Sequence, residues 1–543
     1  MPIIYTFEAK SIQSYILDSS QLPDMVGASE QIENLTRGLL DKVLQALNLK
    51  EGQDIQFARR TGGSIIAILN TLDSAKKLRD LWTFLVRSTL PGLEFAQGLQ
   101  ENTELIAAVK AAKQQQSLDQ YRLFPVFPIV GPLVAREPRT GEPAVTEKLI
   151  SNNPERLSKS TLFKHKSRHQ AQLGAGLTID NKLQLTAAKT NQRLLWPQNI
   201  NATKNMANDP NFPVLINHHY FGVLHANGNG LSELLKAVRE EISNRPQHYA
   251  EVFNALSETF EKITIAATRQ AAKNVLVPKI QLHHDAQGKD LPVLPARPLI
   301  LGADNLTVIV RGDLAIPFAQ HFLEAFEHHS NDLLTQIKQV YQKRNIQLPL
   351  PKNLTASAGI AFIKNSQPFH LASGLAESLC DKAKKQSKQV RTPDGRIPSS
   401  LAFHRITTSV IDDYDTLCQR ELFTSAGWNL SMQPYFVGQV AQESNAGPSL
   451  QDLDTLRRLL AEEKVSQGAT RELLNLLYLS PRQAQRGFKR WREKMQKLPW
   501  EKYREFEALV KKMVVESDKE LPILSAKDKR TPLADALAWN DVA

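Results

Sequence analysis

Short β-prone runs alternate with longer segments of helical spacing along the N-terminal part of the chain. Residues 3–9 are apolar and β-prone, and apolar side chains then recur at helical spacing from 24 to about 49. Two further β-prone runs lie within 55–69, and Gly62-Gly63 between them favours a tight turn because adjacent glycines admit positive φ angles. A helical segment and a β-prone run follow before residue 100. The pattern predicts the order strand, helix, strand, strand, helix, strand, which is the ferredoxin-like motif.

A similar order returns in the second half of the chain. The strand-like run YFGVLHA (220–226) leads into a long helical region, and the hairpin-like run RPLILGADNLTVIV (297–310) has Gly302-Ala303-Asp304-Asn305 at its turn. A helix, a strand and a second helix are predicted near 315–339, 355–363 and 371–388. The repetition predicts an α+β protein with two related βαββαβ domains.

The remaining segments differ in character from these two units. The stretch between them mixes helical pattern with Pro-rich and basic runs, and the pattern after about residue 400 is helical, with closely spaced leucines. We therefore predict a first αβ domain over 1–115, a helical or irregular insert over 116–212, a second αβ domain over 213–400 and a helical bundle over 401–543.

Composition narrows the class of protein. A hydrophobic fraction of 42% excludes disorder as the main state, and two cysteines, Cys380 and Cys418, exclude a disulfide framework and a four-cysteine zinc site. No apolar run approaches the roughly 18 residues that span a bilayer, so we expect a cytoplasmic protein with no membrane association. The formal charge of 67 − 56 = +11 favours a polyanionic partner. Over this length the excess is small, so the charge alone does not decide between a protein that binds a polyanion and one that does not.

A candidate phosphate site lies in FGVLHANGNGLSELL (221–235), where a strand, a glycine-containing loop and a helix start follow one another. Backbone N–H groups at such a junction can hold phosphate, although Asn-Gly pairs are also simple turn formers. In a βαββαβ sheet the end of the first strand lies beside the middle hairpin, which would bring both segments to one edge. The candidate nucleotide-binding residues are Gly228, Asn229, Gly230, Gly302 and Ala303.

These motifs resemble those of the large subunit of type III CRISPR effector complexes, the Cmr-two or Cas ten family. The resemblance rests on SIQSYILDSSQLPDMVGASEQI (11–32), FGVLHANGNGLSELL, LILGADNLTVIV (299–310) and SAGIAFIKNSQPFHLASGLAESLCDKAKK (357–385), which follow the family's order and spacing. It implies two palm domains of nucleotide-cyclase type. In active members, the second palm condenses ATP into cyclic oligoadenylates when the complex binds target RNA.

The resemblance also implies a departure at the catalytic positions. Active members hold two divalent metals with a pair of strand aspartates and a Gly-Gly-Asp-Asp hairpin, whereas the matching residues here are Asn227, Asn229 and Gly302–Asn305. Amide oxygens supply no formal charge, so we expect Mg²⁺ or Mn²⁺ to bind weakly, through Asp304, beside the degenerate positions Asn227 and Asn305. We predict that nucleotide binding, of ATP or a relative, is retained and that cyclase activity is impaired.

Lys384 matches the family's phosphate-contacting lysine and is a candidate nucleotide-binding residue, with a solvated surface cation as the alternative. Two other functions stay open: an active cyclase or polymerase using Asp304 with unusual ligands, and a stand-alone nucleotide-binding regulator.

Other family features are missing from the sequence or altered. The sequence opens on the segment that resembles the first palm, so we expect no His-Asp nuclease domain. For His284-Asp285, which lies in a polar connection, a surface loop is favoured over a nuclease site. The family's four-cysteine zinc site cannot form, so no zinc is expected. Cys380 is predicted to be a buried small hydrophobe within its helix.

The segment RQAQRGFKRWREKMQK (482–497) is a candidate nucleic-acid surface. Arg486, Lys489 and Arg490 could contact phosphate and Trp491 could stack on a base, while the alternative is an ordinary helix whose aromatic side chains face a bundle. In the family this tail packs along guide RNA and target RNA, beside small helical subunits. The resemblance thus implies guide RNA, target RNA, RAMP-type subunits and small helical subunits as partners.

Overall fold

The fold is taken from a computed structural model of the chain. It describes residues 1–19, 21–121, 131, 133–150, 153–172, 178–186, 192–197, 220–284, 290–364, 367, 369–407, 414–425, 427–462, 467–513 and 529–543.

The first unit is built on a four-stranded antiparallel sheet. Its strands are β1 (Ile3–Ala9), β2 (Ile55–Thr61), β3 (Ser64–Leu69) and β4 (Phe95–Glu101), in the order β2-β3-β1-β4. Its helices are α1 (Ile12–Leu17), α2 (Leu22–Asn34), α3 (Leu40–Ala46), α4 (Leu72–Thr89) and α5 (Leu105–Asp119), with a π-helical turn (Leu35–Leu39) between α2 and α3.

Local sequence explains the main features of this sheet. Gly62 and Gly63 adopt φ angles of 60° and 74° between β2 and β3, which confirms the turn predicted from the glycine pair. Helix α4 buries Trp82 against the sheet, where its ring meets Phe7 edge-on with centroids 5.4 Å apart.

The middle segment packs on the first unit and contains a hairpin that the sequence did not predict. Its elements are β5 (Ala144–Ile150), β6 (Asn153–Ser158), α6 (Lys159–Gln172) and α7 (Ile179–Lys182). Helix α6 lies so close to α2 that a Cβ on Gly27 would stand 2.0 Å from the carbonyl oxygen of Lys164. Lys164 itself is buried and donates to the carbonyl of Tyr15 at 3.0 Å. The contact excludes this lysine from a surface role.

The second unit is built on a six-stranded sheet. Its strands are β7 (Tyr220–Gly228), β10 (Ala296–Leu301), β11 (Asn305–Arg311), β12 (Ala356–Lys364), β13 (Ser399–Arg405) and β14 (Tyr435–Val437), in the order β10-β11-β7-β12-β13-β14, while β8 (Gln281–His284) and β9 (Asp290–Val293) pair separately. Its helices are α8 (Leu231–Ile242), α9 (Tyr249–Ala271), α10 (Gly312–Gln342) and α11 (Phe369–Ser387). In each main sheet, the first four strands in chain order lie in the spatial order second, third, first, fourth.

The second sheet extends beyond residue 400, into the segment predicted to be helical. Strand β13 is buried and pairs in parallel with β12, and β14 pairs with β13. A parallel neighbour needs a crossover, which α11 provides. The remaining elements are helices: α12 (Tyr414–Glu421), α13 (Gln439–Glu443), α14 (Leu450–Leu460), α15 (Gln467–Leu479), α16 (Pro481–Met495), α17 (Trp500–Met513) and α18 (Leu533–Val542).

The mixed helix and sheet class is confirmed. No helix in the described ranges is both long enough and apolar enough to cross a bilayer.

Candidate functional site

The structure brings two of the predicted site residues face to face. Asn227, near the end of β7, is the cross-strand partner of Asn305, the first residue of β11. The backbone N–H of Gly228 donates to the carbonyl of Asp304 at 2.9 Å, which holds the hairpin turn against the strand end. Asn227, Asp304 and Asn305 are all half-buried, so their side chains border solvent at one edge of the sheet.

Lys384 joins this edge from helix α11. Its Nζ donates to Asn227 Oδ1 at 3.1 Å, and the residue is half-buried. The lysine is therefore held at the strand end and does not extend freely into solvent. Because the accepting amide of Asn227 is neutral, it does not cancel the charge of the ammonium, which stays available to an anion.

Asn229 occupies a different environment, inside the fold. Its Nδ2 donates to Thr355 Oγ1 at 3.1 Å and to the carbonyl of Pro398 at 3.4 Å, and its Oδ1 accepts from Ser357 Oγ at 3.0 Å. The residue is 6% exposed. Both ends of its amide group are hydrogen-bonded to protein atoms. Asn229 therefore connects the end of β7 with β12 and the start of β13, and its side chain does not face a ligand.

The three predicted glycines are constrained in two ways, by a positive φ angle or by the close approach of a side chain. Gly230 has φ 69° and caps α8, while a Cβ on Gly228 would lie 2.6 Å from Leu231 Cδ1. At Gly302 a Cβ would lie 1.9 Å from Asn305 Oδ1. Gly302 is not among the residues with positive φ, so its constraint is the close approach of Asn305 and not a turn angle. Ala303 is buried, and its carbonyl accepts from Thr264 Oγ1 of α9 at 2.8 Å.

A cavity of about 360 Å³ lies beside the turn, between the two sheets. The first unit contributes Ser11, which has an unusual positive φ of 48°. Other lining residues are Ser14, Arg37, Lys182, Gly302 and Asn305. The cavity is thus polar, bordered by the candidate turn on one side and by cationic side chains on the other.

The charges in this cavity are organised by an ion network that the sequence did not reveal. Lys182 of α7 contacts Glu33 and also Glu261 Oε1, at 2.7 Å for the latter, while Arg37 meets Glu261 Oε2 at 2.6 Å. Burial raises the pKa of Glu33, and Lys182 opposes the shift. The network joins α2, α7 and α9, whose charged residues are far apart in the chain.

His225 connects the second sheet to the first unit beneath the site. Its Nδ1 lies 3.1 Å from Gln13 Nε2 and 3.1 Å from Thr307 Oγ1. Burial lowers the pKa of His225 to about 4, and the positive charge of Lys384 adds to the shift. The ring is therefore neutral near pH 7. Its position within a strand gave no sequence signal.

The donor set fits a divalent metal poorly. Asp304 is the one carboxylate in the turn, the neighbouring oxygens belong to amides, and the Lys384 ammonium already donates to Asn227 Oδ1. The positive charge of an ammonium group bonded to this oxygen repels a divalent cation that would bind there. In the part of the chain that the structure describes, no three His, Cys, Asp or Glu side chains are grouped to hold a metal ion.

The basic segment forms helix α16, whose two faces differ. Arg486, Lys489 and Arg490 are all exposed. Trp491 is 2% exposed, its Nε1 donates to Thr470 Oγ1 at 3.0 Å, and its ring meets Phe506 edge-on at 5.6 Å. Trp491 thus faces the helical bundle and is not available for base stacking, because its ring is needed for packing.

Two further sequence predictions concern Cys380 and the His284-Asp285 pair. Cys380 is 1% exposed, its Sγ lies 3.1 Å from the carbonyl of Ser357, and burial raises the pKa of its thiol to about 12. Its prediction as a buried small residue is confirmed. Asp285 lies outside the described residues.

Comparison with known proteins finds similarity only at the level of structure. No family model and no curated protein matches the sequence. The fold is that of the large subunit of type III CRISPR complexes, as predicted from the motifs. The structural match is to Csm1: Csm1 in the Csm1–Csm4 cassette with cA4 has 13% identity and a TM-score of 0.50, covering 99% of this chain and 70% of that one.

Two other Csm1 structures show similar coverage. The Csm1–Csm4 cassette with AMPPNP has 14% identity and a TM-score of 0.45, covering 100% of this chain and 68% of that one. Csm1 from T. onnurineus has 15% identity and a TM-score of 0.42, with 99% and 69% covered.

Proposed function

We propose that this chain is the large subunit of an RNA-guided type III CRISPR antiviral complex, with two ferredoxin-like palm domains and a second palm that binds a nucleotide without efficient cyclase activity. The proposal rests chiefly on the strand-end cluster, where Asn227 and Asn305 pair and Lys384 donates to Asn227 at 3.1 Å. We place the first palm at 1–115, the insert at 116–212 and the second palm from 213, now continued to β14, with the C-terminal helices after it.

The nucleotide is proposed to be ATP or a related adenine nucleotide. The Csm1–Csm4 cassette with the similar fold holds cA4, which supports this ligand class. In this chain, Lys384 supplies a positive charge at the turn, and the adjoining cavity of about 360 Å³ contributes polar side chains. A phosphate group close to Lys384 would gain a charge-assisted hydrogen bond.

Catalysis is proposed to be weak because the anionic ligands are missing. Phosphoryl transfer depends on positioned metal ions that neutralise charge on the phosphates. Asp304 is the one carboxylate of the turn, and the neighbouring Asn227 oxygen already accepts from the Lys384 ammonium. The residues of this chain therefore favour binding of the nucleotide over its conversion.

The test of this proposal measures binding and turnover separately. We expect purified protein, alone and with its guide complex, to bind ATP in calorimetry and to form little cyclic or linear product from labelled ATP with Mg²⁺ or Mn²⁺. Abundant product would support the active cyclase or polymerase instead. In the double variant Asn227→Asp and Asn305→Asp, added carboxylates should increase Mn²⁺ binding, which a site unable to approach a metal would not show.

The partners are proposed to be guide RNA, target RNA, RAMP-type subunits and small helical subunits. The similar Csm1 protein is seen in a cassette with Csm4, which supports assembly with another subunit. Affinity purification from native cells should recover small RNA and subunits of these types. Recovery of the chain free of both would support the stand-alone regulator.

A further inference from the structure

Three cationic side chains from separate elements meet on the face of the first sheet that packs against α5. Arg59 on β2 is the cross-strand partner of Ile66 on β3, and Ile66 is in turn the partner of Thr6 on β1. Thr6 Oγ1 donates to the carbonyl of Ala112 in α5 at 3.4 Å. Lys113 is the next residue of α5. Arg239 lies on α8 of the second unit, where its neighbour Val238 packs in the same hydrophobic core as Ala58 and Ala112, the neighbours of Arg59 and Lys113. The positive charge of Arg239 acts on Lys113 together with that of Arg59.

Each of the two guanidinium groups has a buried donor without an acceptor. The Nε atoms of Arg59 and Arg239 are both buried, and neither has a hydrogen-bond partner among the described residues. The phenol of Tyr249 beside Arg239 is neutral, since burial raises its pKa. Burial of an unpaired charged donor is costly, and most such groups are paired. The arrangement leaves two donors, from two different units, in one cationic region.

The carboxylate that acts on Lys113 is already shared. Glu8 accepts from Lys10 Nζ at 3.1 Å and from Gln116 Nε2 at 2.8 Å. Burial lowers the pKa of Lys113 to about 8, Arg239 and Arg59 add to the shift, and Glu8 opposes it without restoring the ordinary value. The region therefore has an excess of positive charge.

The adjacent arginine shows how an ordinary site in this sheet looks. Arg60 pairs with Asp41 and, at 3.1 Å, with Glu51, and its Nε donates to the carbonyl of Thr36 at 3.0 Å. The Arg59 Nε has no comparable partner in the described structure. These two neighbours provide a matched comparison.

We propose that Arg59, Lys113 and Arg239 form a binding site for a phosphate group at the junction of the two units, separate from the strand-end cluster at Lys384. A phosphate has enough charge and enough acceptor oxygens to pair with two guanidinium groups and one ammonium. A single carboxylate would leave positive charge unpaired. The phosphate belongs either to a nucleotide or to an RNA backbone.

The experiment uses the full chain with the Lys384→Met substitution, so that binding at the proposed nucleotide site is weakened, and the variants described below assign the binding that remains. Pyrophosphate, ATP and a short single-stranded RNA are titrated by calorimetry and by thermal unfolding. We expect at least one to bind and to raise the Tm. Pyrophosphate and ATP binding would assign the phosphate to a nucleotide, RNA binding alone would assign it to a backbone, and binding of none would overturn the proposal.

Variants locate the binding site. Adding Arg59→Gln and Arg239→Gln should weaken the binding of the active probe at least tenfold, while Arg60→Gln should leave it unchanged. Equal weakening in both variants, or none in either, would contradict the assignment.

Lys113→Met gives a second test, in which thermal unfolding is measured without and with the probe. Without probe its Tm should rise, because a crowded cation is removed, and the probe-dependent rise in Tm should shrink. A lysine with a purely structural role would lower the Tm in both conditions, which would count against the site.

Discussion

Asn227 and Asn229 are two positions apart in one motif, yet they have different roles. Asn227 is half-buried and accepts a hydrogen bond from the Lys384 ammonium. Asn229 is buried, and its amide is hydrogen-bonded to Thr355, Ser357 and Pro398. Side chains two apart on a strand share a face, but β7 ends at Gly228 and the chain turns before Asn229. At the residue scale, the motif thus combines one amide that borders solvent with one buried structural amide.

We predict that Asn229→Ala lowers stability and that Asn227→Ala does so much less. Removing the Asn229 amide leaves buried partners unpaired, at a cost of about 1–3 kcal/mol. Thermal unfolding of the two variants checks this. A smaller fall in Tm for Asn229→Ala than for Asn227→Ala would contradict the structural role.

We predict that Lys384→Met weakens ATP binding about tenfold or more, because a charge-assisted hydrogen bond to phosphate is removed. Lys385→Met is the matched control, since Lys385 is the exposed neighbour on the same helix. Calorimetric titration with ATP in the absence of divalent metal provides the measurement. Similar affinities for the two variants would remove Lys384 from the site.

At the element scale, α16 shows how one helix serves two environments. Its buried side, with Trp491 and Met495, packs in the bundle, and its cationic side chains border solvent. The aromatic residue selected from sequence as a stacking platform is in fact part of the packing. The side chains that this helix exposes to a partner are therefore mainly cations.

We predict that reversing Arg486, Lys489 and Arg490 to Glu weakens RNA or partner binding. The salt dependence should also become shallower, by about 0.7 in log–log slope for each phosphate of single-stranded RNA that these cations no longer neutralise. Binding at several salt concentrations gives the slope. Reversal of the exposed pair Lys76 and Lys77 on α4 is the control, and an equal effect there would mean that bulk charge is responsible.

At the scale of the whole molecule, buried charges join the first unit, the middle segment and the second unit. Arg297 of β10 is 1% exposed and pairs with Asp180 of α7 at 2.9 Å. Glu30 of α2 lies beside them, and burial raises its pKa to about 8, with Arg297 opposing the shift and Asp180 and Glu33 adding to it. The contacts between units are therefore sensitive to protonation.

We predict that stability falls as the pH rises from about 5 to 8, and that Glu30→Gln removes part of this fall. In that window folded Glu30 retains a proton that the unfolded chain has released, so rising pH favours unfolding by at most about 1.4 kcal/mol per pH unit. Calorimetric Tm values across this range check it, with Glu94→Gln, at an exposed glutamate, as control. Parallel curves for the wild type and Glu30→Gln would contradict the prediction.

The sequence predicted most elements and the meeting of two motifs, but not the partners of individual side chains. The helix predicted over 371–388 is α11 (Phe369–Ser387), and the expected approach of Asn227 to the hairpin is present as its pairing with Asn305. The hairpin β5–β6 and the strands β13 and β14 were missed, because short strands need neighbours to be recognised. The ion network of Lys182 was missed because its members come from three distant segments.

What the sequence determined by itself is local: the periodicity of strands and helices, the Gly62-Gly63 turn and the absence of carboxylates at the strand end. These follow from nearest-neighbour chemistry and side-chain spacing. Only the tertiary structure decided that Asn229 and Trp491 are buried, that Lys384 reaches Asn227, and that Arg59, Lys113 and Arg239 share one region. The reason is that hydrogen bonds and charges act over a few ångströms in space, whatever the distance along the chain.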